Sequence, residues 1–436
     1  MRKTQSTKTE RPLGKIELIA IALGGMIGGG IFSILGVSVE IIGTYTPIAI
    51  FLGGLLAGCA AYAYSKLAAY YEDEGATYSF FKKTFPQQKF AIASIGWLIV
   101  FGYISTLALY AFTFSSYFST LLPQNTFFSK EIIAFIIIFI FGSINIISVN
   151  GMGKVEDLMV YIKIAILIVI STLFLKQSNL GLQPFYKNFT HSLSPIITVA
   201  AITFVAYEGF QLTIHAYEEA ESPKKNIPSA IYWSIGITTF IYVILAMGAL
   251  SIIPKEILIR DKEFALAAGA TEILGNTGHG LIILGALLAT SSAINGTLFG
   301  ASRLIAVIAE DGVFPYFLSK RVHGHIPKNA IIFMGAVSYL FVLTGGLQVI
   351  IEFGSITFII VSLLMAYSNF YIRKKTKSHP LIAMISILLL TIAAGLIIFH
   401  KFKTNYQELI YIVIVYVALI GFAKFYSTKT NLKFNT

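Results

Sequence analysis

The feature that most constrains this chain is a series of apolar stretches, each roughly as long as a bilayer-crossing helix of about 20 residues. In hydrocarbon, every backbone N–H and C=O group must be satisfied within a helix or a closed barrel, and these stretches lack the alternation of barrel strands. Hydrophobic residues make up 56% of the 436 residues and charged residues only 12%. The sequence therefore predicts an all-α polytopic membrane protein whose main solvent is lipid.

We predict twelve transmembrane helices. Their centres lie near Gly28, Gly54, Leu107, Ile138, Ile166, Tyr207, Phe240, Ser292, Val337, Ser362, Leu389 and Ile414. The single cysteine, Cys59, falls within the second of them, so an intramolecular disulfide cannot form.

The net charge of +11 follows the expected membrane topology. Most of the Lys and Arg residues fall in alternate connections, as the positive-inside rule requires of cytoplasmic segments. Membrane topology explains these cations without nucleic acid as a partner. The pattern predicts a protein of the inner or plasma membrane with both termini in the cytoplasm.

The connections are short, which predicts one membrane domain. The predicted parts are a cytoplasmic tail (1–15), a transporter core (16–372) with repeats at about 16–176 and 194–372, two additional helices (373–427) and a cytoplasmic tail (428–436). Poor helix formers interrupt the first and sixth spans, at Gly24 to Gly30 and at Ala206 to Gly209. Paired interruptions, with an odd number of spans per half, predict a five-plus-five inverted repeat with discontinuous helices 1 and 6. Helices 11 and 12 are expected to lie outside this core.

The glycines of the first span favour a broken helix. Each glycine in a helix interior costs about 1 kcal/mol relative to alanine, so the five between Gly24 and Gly30 would cost roughly 5 kcal/mol. The alternative is close helix packing through small residues spaced four apart. Packing needs glycine on one face, whereas Gly28, Gly29 and Gly30 cover most faces of a turn, which favours the break.

Two opposed half-helices would offer a cradle to a zwitterion. A new helix starting after Gly28, Gly29 and Gly30 presents unpaired N–H groups and a positive dipole end, which suit a carboxylate. The interruption of the sixth span frees carbonyl groups of Phe204, Val205 and Ala206 at a negative helix end, which suits an ammonium group. An amino acid carries both groups.

Four segments together give a specific family resemblance. They are Gly24 to Phe32, with the glycine pattern ending in Gly-Ile-Phe; Phe204 to Phe210; the acidic, proline-containing stretch Glu218 to Ile231, in which Ser222 stands where the family has Asn; and Phe299 to Arg303 followed by Asp311 to Pro315. The sequence resembles the amino acid–polyamine–organocation (APC) superfamily, and in particular its proton-coupled permeases.

The resemblance implies alternating access and a substrate bound by main-chain groups of helices 1 and 6. In this sequence the carbonyl groups of Ile27 and of Phe204, Val205, Ala206 and Tyr207 would hold the amine, and the amides of Gly28, Gly29 and Gly30 the carboxylate. Selectivity for the side chain is expected from Tyr103, Tyr207 and Phe210.

Lys163 is the predicted proton-coupling residue. It lies inside the fifth span, where a charge costs roughly 2.5 to 3.5 kcal/mol and marks function by default. The preceding Gly153 to Glu156 resembles the start of the fifth helix in proton-coupled family members, whose lysine stands where sodium-coupled relatives bind a cation. Ser291 and Ser292 are its predicted neighbours. The alternative is a lysine whose stem snorkels to the membrane interface.

Glu208 is a second ionisable residue within a span, beside the sixth-span interruption. Three roles are open to it: receiving a proton, contacting a substrate amine, or capping loose backbone N–H groups. His215, about two turns further on, more often lines a pathway than relays protons.

The predicted function is proton-coupled uptake of amino acids, with a small-molecule substrate, protons and the bilayer as partners. An ion-independent amino acid or polyamine exchanger and a non-transporting amino acid sensor on the same scaffold are the alternatives. An enzyme is not expected, because the glycine clusters lack the context of nucleotide loops and the His residues lack metal-ligand spacing. No cofactor and no metal are predicted. Nothing in the sequence indicates which amino acid is carried or the oligomeric state.

Overall fold

The computed structural model describes residues 12–123, 129–147, 152–177, 193–261, 264–322 and 326–429. Within them the chain forms α-helices and short 3₁₀ helices, with only two isolated β-bridges, which confirms the all-α prediction. Most of the predicted N-terminal tail, the end of the C-terminal tail, and the side chains of the Gly153 to Glu156 motif lie outside the described residues.

The helices of the described residues are α1 (Lys15–Met26), α2 (Gly30–Ile42), α3 (Thr46–Tyr71), α4 (Ala76–Thr84), α5 (Lys89–Ser119), α6 (Lys130–Ile147), α7 (Met152–Gln177), α8 (Leu193–Ile202), α9 (Pro223–Ile252), α10 (Lys255–Arg260), α11 (Ala265–Glu310), α12 (Lys328–Thr344), α13 (Leu347–Tyr371), α14 (Pro380–Thr404) and α15 (Tyr406–Lys429). Four 3₁₀ helices connect them, at Gly43–Tyr45, Thr203–Tyr207, Phe210–Ala216 and Tyr316–Ser319.

The described residues contain ten candidate membrane spans by length and composition, with Gly30–Tyr71 counted as one stretch. The helix α12 is apolar but shorter, with 17 residues that reach about 25 Å at 1.5 Å per residue. A polytopic membrane protein is therefore confirmed, while the count of twelve helices stays a prediction.

The bundle has a buried centre and a lipid-facing edge. The most apolar windows of α5 and α13 are 89% and 83% buried, whereas those of α14 and α15 are only 28% and 17% buried. The helices α5 and α13 therefore form the core, and α14 and α15 lie at the periphery.

Both predicted helix interruptions are present. The first helix ends at Met26 and resumes at Gly30, and Ile27 between them has a non-helical ψ of 79°. In the second interruption α8 ends at Ile202 and gives way to 3₁₀ turns, and Glu208 is extended with ψ 139°. The two interruptions leave main-chain groups that must be satisfied from outside their own helices.

The basic connections that were predicted to be cytoplasmic meet at one end of the bundle. Contacts there join Leu13 N to Glu219 O (2.9 Å), Lys224 to Glu72 (2.6 Å), Lys82 to Asp311 (2.7 Å) and Lys66 Nζ to Lys377 O (3.3 Å). The Asp311 to Pro315 motif lies at this end, where Val313 O also accepts a hydrogen bond from Trp97.

Candidate functional site

Lys163 binds the end of the first half-helix. Its ammonium donates to the carbonyl oxygens of Gly24 at 2.8 Å and Ile27 at 2.7 Å, and lies 3.3 Å from Ser292 Oγ on α11. The side chain is fully buried. The last carbonyl groups of a helix have no partner within it, so an internal ammonium is a strong substitute for the missing donors. Lys163 therefore joins α7, α1 and α11 at one point.

Two tyrosines satisfy the remaining carbonyl groups at the end of α1. Tyr110 of α5 donates to Gly25 O at 3.2 Å, and Tyr242 of α9 donates to Met26 O at 2.8 Å. The Tyr242 hydroxyl also lies 3.3 Å from Ala206 O in the second interruption. Tyr242 thus connects the two interrupted helices directly.

The glycines of the first interruption are required by close packing. A Cβ on Gly28 would lie 2.7 Å from both Ala293 Cβ and Tyr110 Cε1, and one on Gly30 would lie 2.9 Å from Ala206 Cβ. Separations under 3 Å are not tolerated between such atoms. Since no side chain caps the start of α2, its first-turn N–H groups are left without a side-chain acceptor.

Hydroxyl groups surround Gly29. A Cβ there would meet Thr113 Oγ1 at 2.7 Å and Thr290 Cγ2 at 3.2 Å, and Ser33 Oγ lies 2.6 Å from Thr113 Oγ1. These side chains give the start of α2 a polar lining on one side. They were not predicted from the sequence, because isolated Ser and Thr residues in apolar helices usually bond only to their own backbone.

The second interruption contains an incompletely bonded carboxyl group. Gln211 Nε2 donates to Glu208 Oε2 at 2.5 Å, and Gln211 Oε1 accepts from the N–H of Gly209 at 3.1 Å. Glu208 Oε1 has no hydrogen-bond partner although the residue is only 2% exposed. No Lys, Arg or His of the described residues lies within ion-pair distance of Glu208. The N–H of Gly209 thus donates to Gln211 and not to Glu208.

The two interruptions cross at Gly209 and Gly25. Gly209 has φ 127°, a conformation that favours glycine. A Cβ on Gly209 would lie 2.5 Å from the carbonyl carbon of Gly25 and 2.6 Å from Met26 N. The backbones of the first and sixth helices therefore touch with no side chain between them.

The structure brings some of the predicted site residues together and directs others elsewhere. Those that meet around the interruptions are Ile27, Gly28, Gly29, Gly30, Ala206, Lys163 and Ser292. The side chains that bind elsewhere are Tyr207, whose hydroxyl donates to Ile50 O at 2.7 Å; Tyr103, which packs on Phe358; Phe210, which packs on Tyr64; and Val205, which faces Gly354. Phe204 is fully buried, and Ser291 is partly exposed.

The candidate site is enclosed by protein. Tyr103, at 6%, is the most exposed of its predicted aromatic residues. Two cavities of the described residues, of about 670 and 380 Å³, open elsewhere on the bundle, and none of the predicted site residues lines them.

Several proteins with similar sequences are named as transporters or permeases. The family described as amino acid permease matches residues 13–420. The uncharacterized protein MJ0609 of Methanocaldococcus jannaschii is 30% identical over 424 residues, which is 96% of each chain. The inner membrane transport protein YbaT of Escherichia coli is 29% identical over 73% of this chain and 74% of its own length. The branched-chain amino acid permease BcaP of Bacillus subtilis is 25% identical over 85% of this chain and 83% of its own length.

Proposed function

This chain belongs to the amino acid permease family, which confirms the resemblance found in its sequence, and from that premise we propose that it takes up amino acids by proton-coupled symport. Membership makes it an integral protein of the cell membrane with amino acids as its substrate class. Proton coupling, alternating access and the roles of individual residues are the proposed part.

The observation that carries the proposal is the contact of the Lys163 ammonium with the carbonyl oxygens of Gly24 and Ile27 and with Ser292 Oγ. Hydrogen bonds from a charged donor contribute about 1.5 to 3 kcal/mol each, so the two carbonyl bonds together hold α1 by about 3 to 6 kcal/mol. A neutral amine has one donor fewer and no charge, so these bonds weaken sharply on deprotonation. The protonation state of Lys163 is therefore suited to control whether α1 is held or released.

In the proposed cycle, a proton on Lys163 holds α1 against α7 and α11 in the closed conformation. Loss of the proton toward the cytoplasm releases α1, and the half-helix swings away to open the inner side of the site. After the substrate has left, the empty carrier returns to the outward-facing conformation, where Lys163 regains a proton from the outer side. An inward proton gradient then drives accumulation, because Lys163 gains its proton on the acidic outer side and loses it on the alkaline inner side.

The substrate is proposed to lie between the two interruptions. Its carboxylate binds the first-turn N–H groups after Gly28, Gly29 and Gly30, and its ammonium binds carbonyl groups of Phe204 and Val205. The carbonyl of Ile27 already accepts from Lys163 and retains a second lone pair for the ammonium. The Ile27 carbonyl then contacts the substrate and the coupling lysine at once.

Glu208 supports this orientation of the substrate. Its unpartnered Oε1 is an acceptor beside the helix end where the ammonium is proposed to bind. A buried acceptor without a partner is costly, so a ligand ammonium that reaches it gains more than the same contact would give in water. Contact with the substrate amine is thus the role we propose for Glu208.

Uptake into proteoliposomes tests the proposal. An inside-alkaline gradient should drive accumulation by the wild type and by Lys176→Ala, which changes an exposed lysine in the last turn of the same helix. Lys163→Ala should lose gradient-driven accumulation while an amino acid still stabilises the protein against heat, which shows that the variant is folded and binds.

Full accumulation by Lys163→Ala would remove this residue from the coupling step. Wild-type uptake that requires amino acid inside the vesicles, with no response to the pH gradient, would favour the exchanger alternative.

A further inference from the structure

A groove on the outer surface of the bundle lies between α3, α9 and the start of α14. Its volume is about 670 Å³, within the range of about 300 to 1,000 Å³ that is typical of small-molecule sites. Its walls include Phe51, Leu55, Phe240 and Ile382, which are all exposed apolar side chains. In a bilayer, such a surface faces hydrocarbon.

Glycines create the depth of this groove. A Cβ on Gly58 or on Gly236 would meet no atom within 4 Å, so each glycine borders open space. The groove extends along α3 from Phe51 to Tyr62, which is about 16 Å at 1.5 Å per residue. This is about half of the 30 Å hydrocarbon thickness, the depth of one leaflet.

The end of the groove at Tyr62 is basic. The Tyr62 hydroxyl accepts from His379 N at 2.7 Å, and the Lys66 ammonium lies 5.8 Å from the Tyr62 ring centroid. Lys66 Nζ also donates to the carbonyl of the exposed Lys377 at 3.3 Å. Within the described part of the chain, no carboxylate pairs with Lys66, Lys374 or Lys377. Their positive charge is available to an anion from outside the protein.

We propose that this groove binds an anionic glycerophospholipid, with an acyl chain on Gly58 and Gly236 and the phosphate at Lys66 and Lys377. The apolar length fits one leaflet, and the charge lies at the end where a headgroup would sit. That end also carries the connections predicted to be cytoplasmic, and the cytoplasmic leaflet is the one rich in anionic lipid. The proposal is independent of how the permease couples transport to protons.

A bound lipid would contact α9, the helix whose Tyr242 joins the two interruptions. The helix α9 lines the groove with Thr239, which packs against Gly54 of α3, and it carries Tyr242 one turn further on. An occupied groove therefore supports the α3 and α9 pair from the lipid side.

Lipid retention by the full-length protein tests the site. The protein is reconstituted with equal amounts of phosphatidylglycerol and phosphatidylcholine of identical chains, then re-extracted in detergent, washed, and analysed for retained lipid by mass spectrometry. The wild type should retain phosphatidylglycerol preferentially. Lys66→Gln with Lys377→Gln should lower the ratio of the two lipids roughly thirtyfold, because each basic residue near the surface attracts anionic lipid and the effects of the two multiply.

A second pair of substitutions tests the acyl-chain part. Gly58→Leu with Gly236→Leu fills open space and should remove the retained lipid altogether, and it should not lower the thermal stability of the lipid-free protein, because leucine is the better helix former. The matched controls are Gly395→Leu, a helical glycine on exposed α14 with nothing within 4 Å, and Lys403→Gln, an exposed lysine of α14 remote from Tyr62. Both controls should retain lipid as the wild type does.

Three results would overturn the proposal. An unchanged lipid ratio in the double Lys variant would remove the headgroup site, and equal loss in Gly395→Leu would indicate general surface lipid only. Oxidative cross-linking of two copies through Cys59, which lines the groove, would show that a second copy of the chain occupies it.

Discussion

Replacing Gly209 by alanine should separate the two interrupted helices at the point where they cross. The new Cβ would lie 2.5 Å from the carbonyl carbon of Gly25 and 2.6 Å from Met26 N. Both of these atoms belong to the backbone, so no side-chain rotation can relieve the overlap. The first half-helix must shift, and with it the carbonyl groups that Lys163 binds.

The cost has two parts. Overpacking a close contact costs about 1 to 3 kcal/mol, and holding a non-glycine residue near φ 127° costs about 1 to 3 kcal/mol more. The sum of roughly 2 to 6 kcal/mol is a large share of the 5 to 15 kcal/mol that stabilises a typical folded protein. We therefore expect Gly209→Ala to lower the thermal stability clearly and to abolish uptake.

Thermal unfolding can be followed with a thiol-reactive dye, because Cys59 is the only cysteine and is half-buried in the folded state. The matched control is Gly395→Ala, a helical position of α14 where a Cβ meets no atom within 4 Å. That change should leave stability the same or raise it by up to about 1 kcal/mol. If Gly209→Ala behaves like Gly395→Ala in both stability and uptake, the two helices do not touch as described.

Further substitutions probe other contacts. Tyr242→Phe removes the hydrogen bond to Met26 O and should lower the free energy of unfolding by about 1 kcal/mol. The variant should also bind amino acid more weakly in a thermal-shift titration. Unaltered binding would exclude Tyr242 as a connection between the interruptions. Lys401→Ala leaves the buried carboxylate of Glu352, 2.8 Å away, without its cation and should cost about 3 to 5 kcal/mol in thermal unfolding. The control is Lys403→Ala, which changes a neighbouring exposed lysine and should alter stability by less than about 0.5 kcal/mol. Equal effects at the two lysines would show that the buried ion pair does not stabilise the fold.

The helical architecture and both interruptions could be predicted because each rests on a local rule. A run of apolar residues crosses lipid only as a helix, and several glycines in one turn make that helix unfavourable. The short helices α4 and α10 lie in connections where apolar periodicity gives no signal, and they were not predicted.

The partners at the site were harder to predict because they depend on helix packing. Tyr110 and Tyr242 lie in the spans of α5 and α9, and a buried tyrosine hydroxyl needs a partner, but the sequence does not say which one. The carbonyl of Ile27 was expected to serve the substrate, whereas in this conformation it accepts from Lys163. The glutamine at 211, which binds the N–H of Gly209, had no distinguishing pattern at all.

Proton movement coupled to amino acid entry tests the central proposal most directly. Vesicles loaded with a pH-sensitive dye and containing the wild type should acidify inside when a transported amino acid is added outside, and vesicles with Lys163→Ala should not. Acidification that persists in Lys163→Ala, or wild-type amino acid entry with no change in internal pH, would contradict coupling through Lys163.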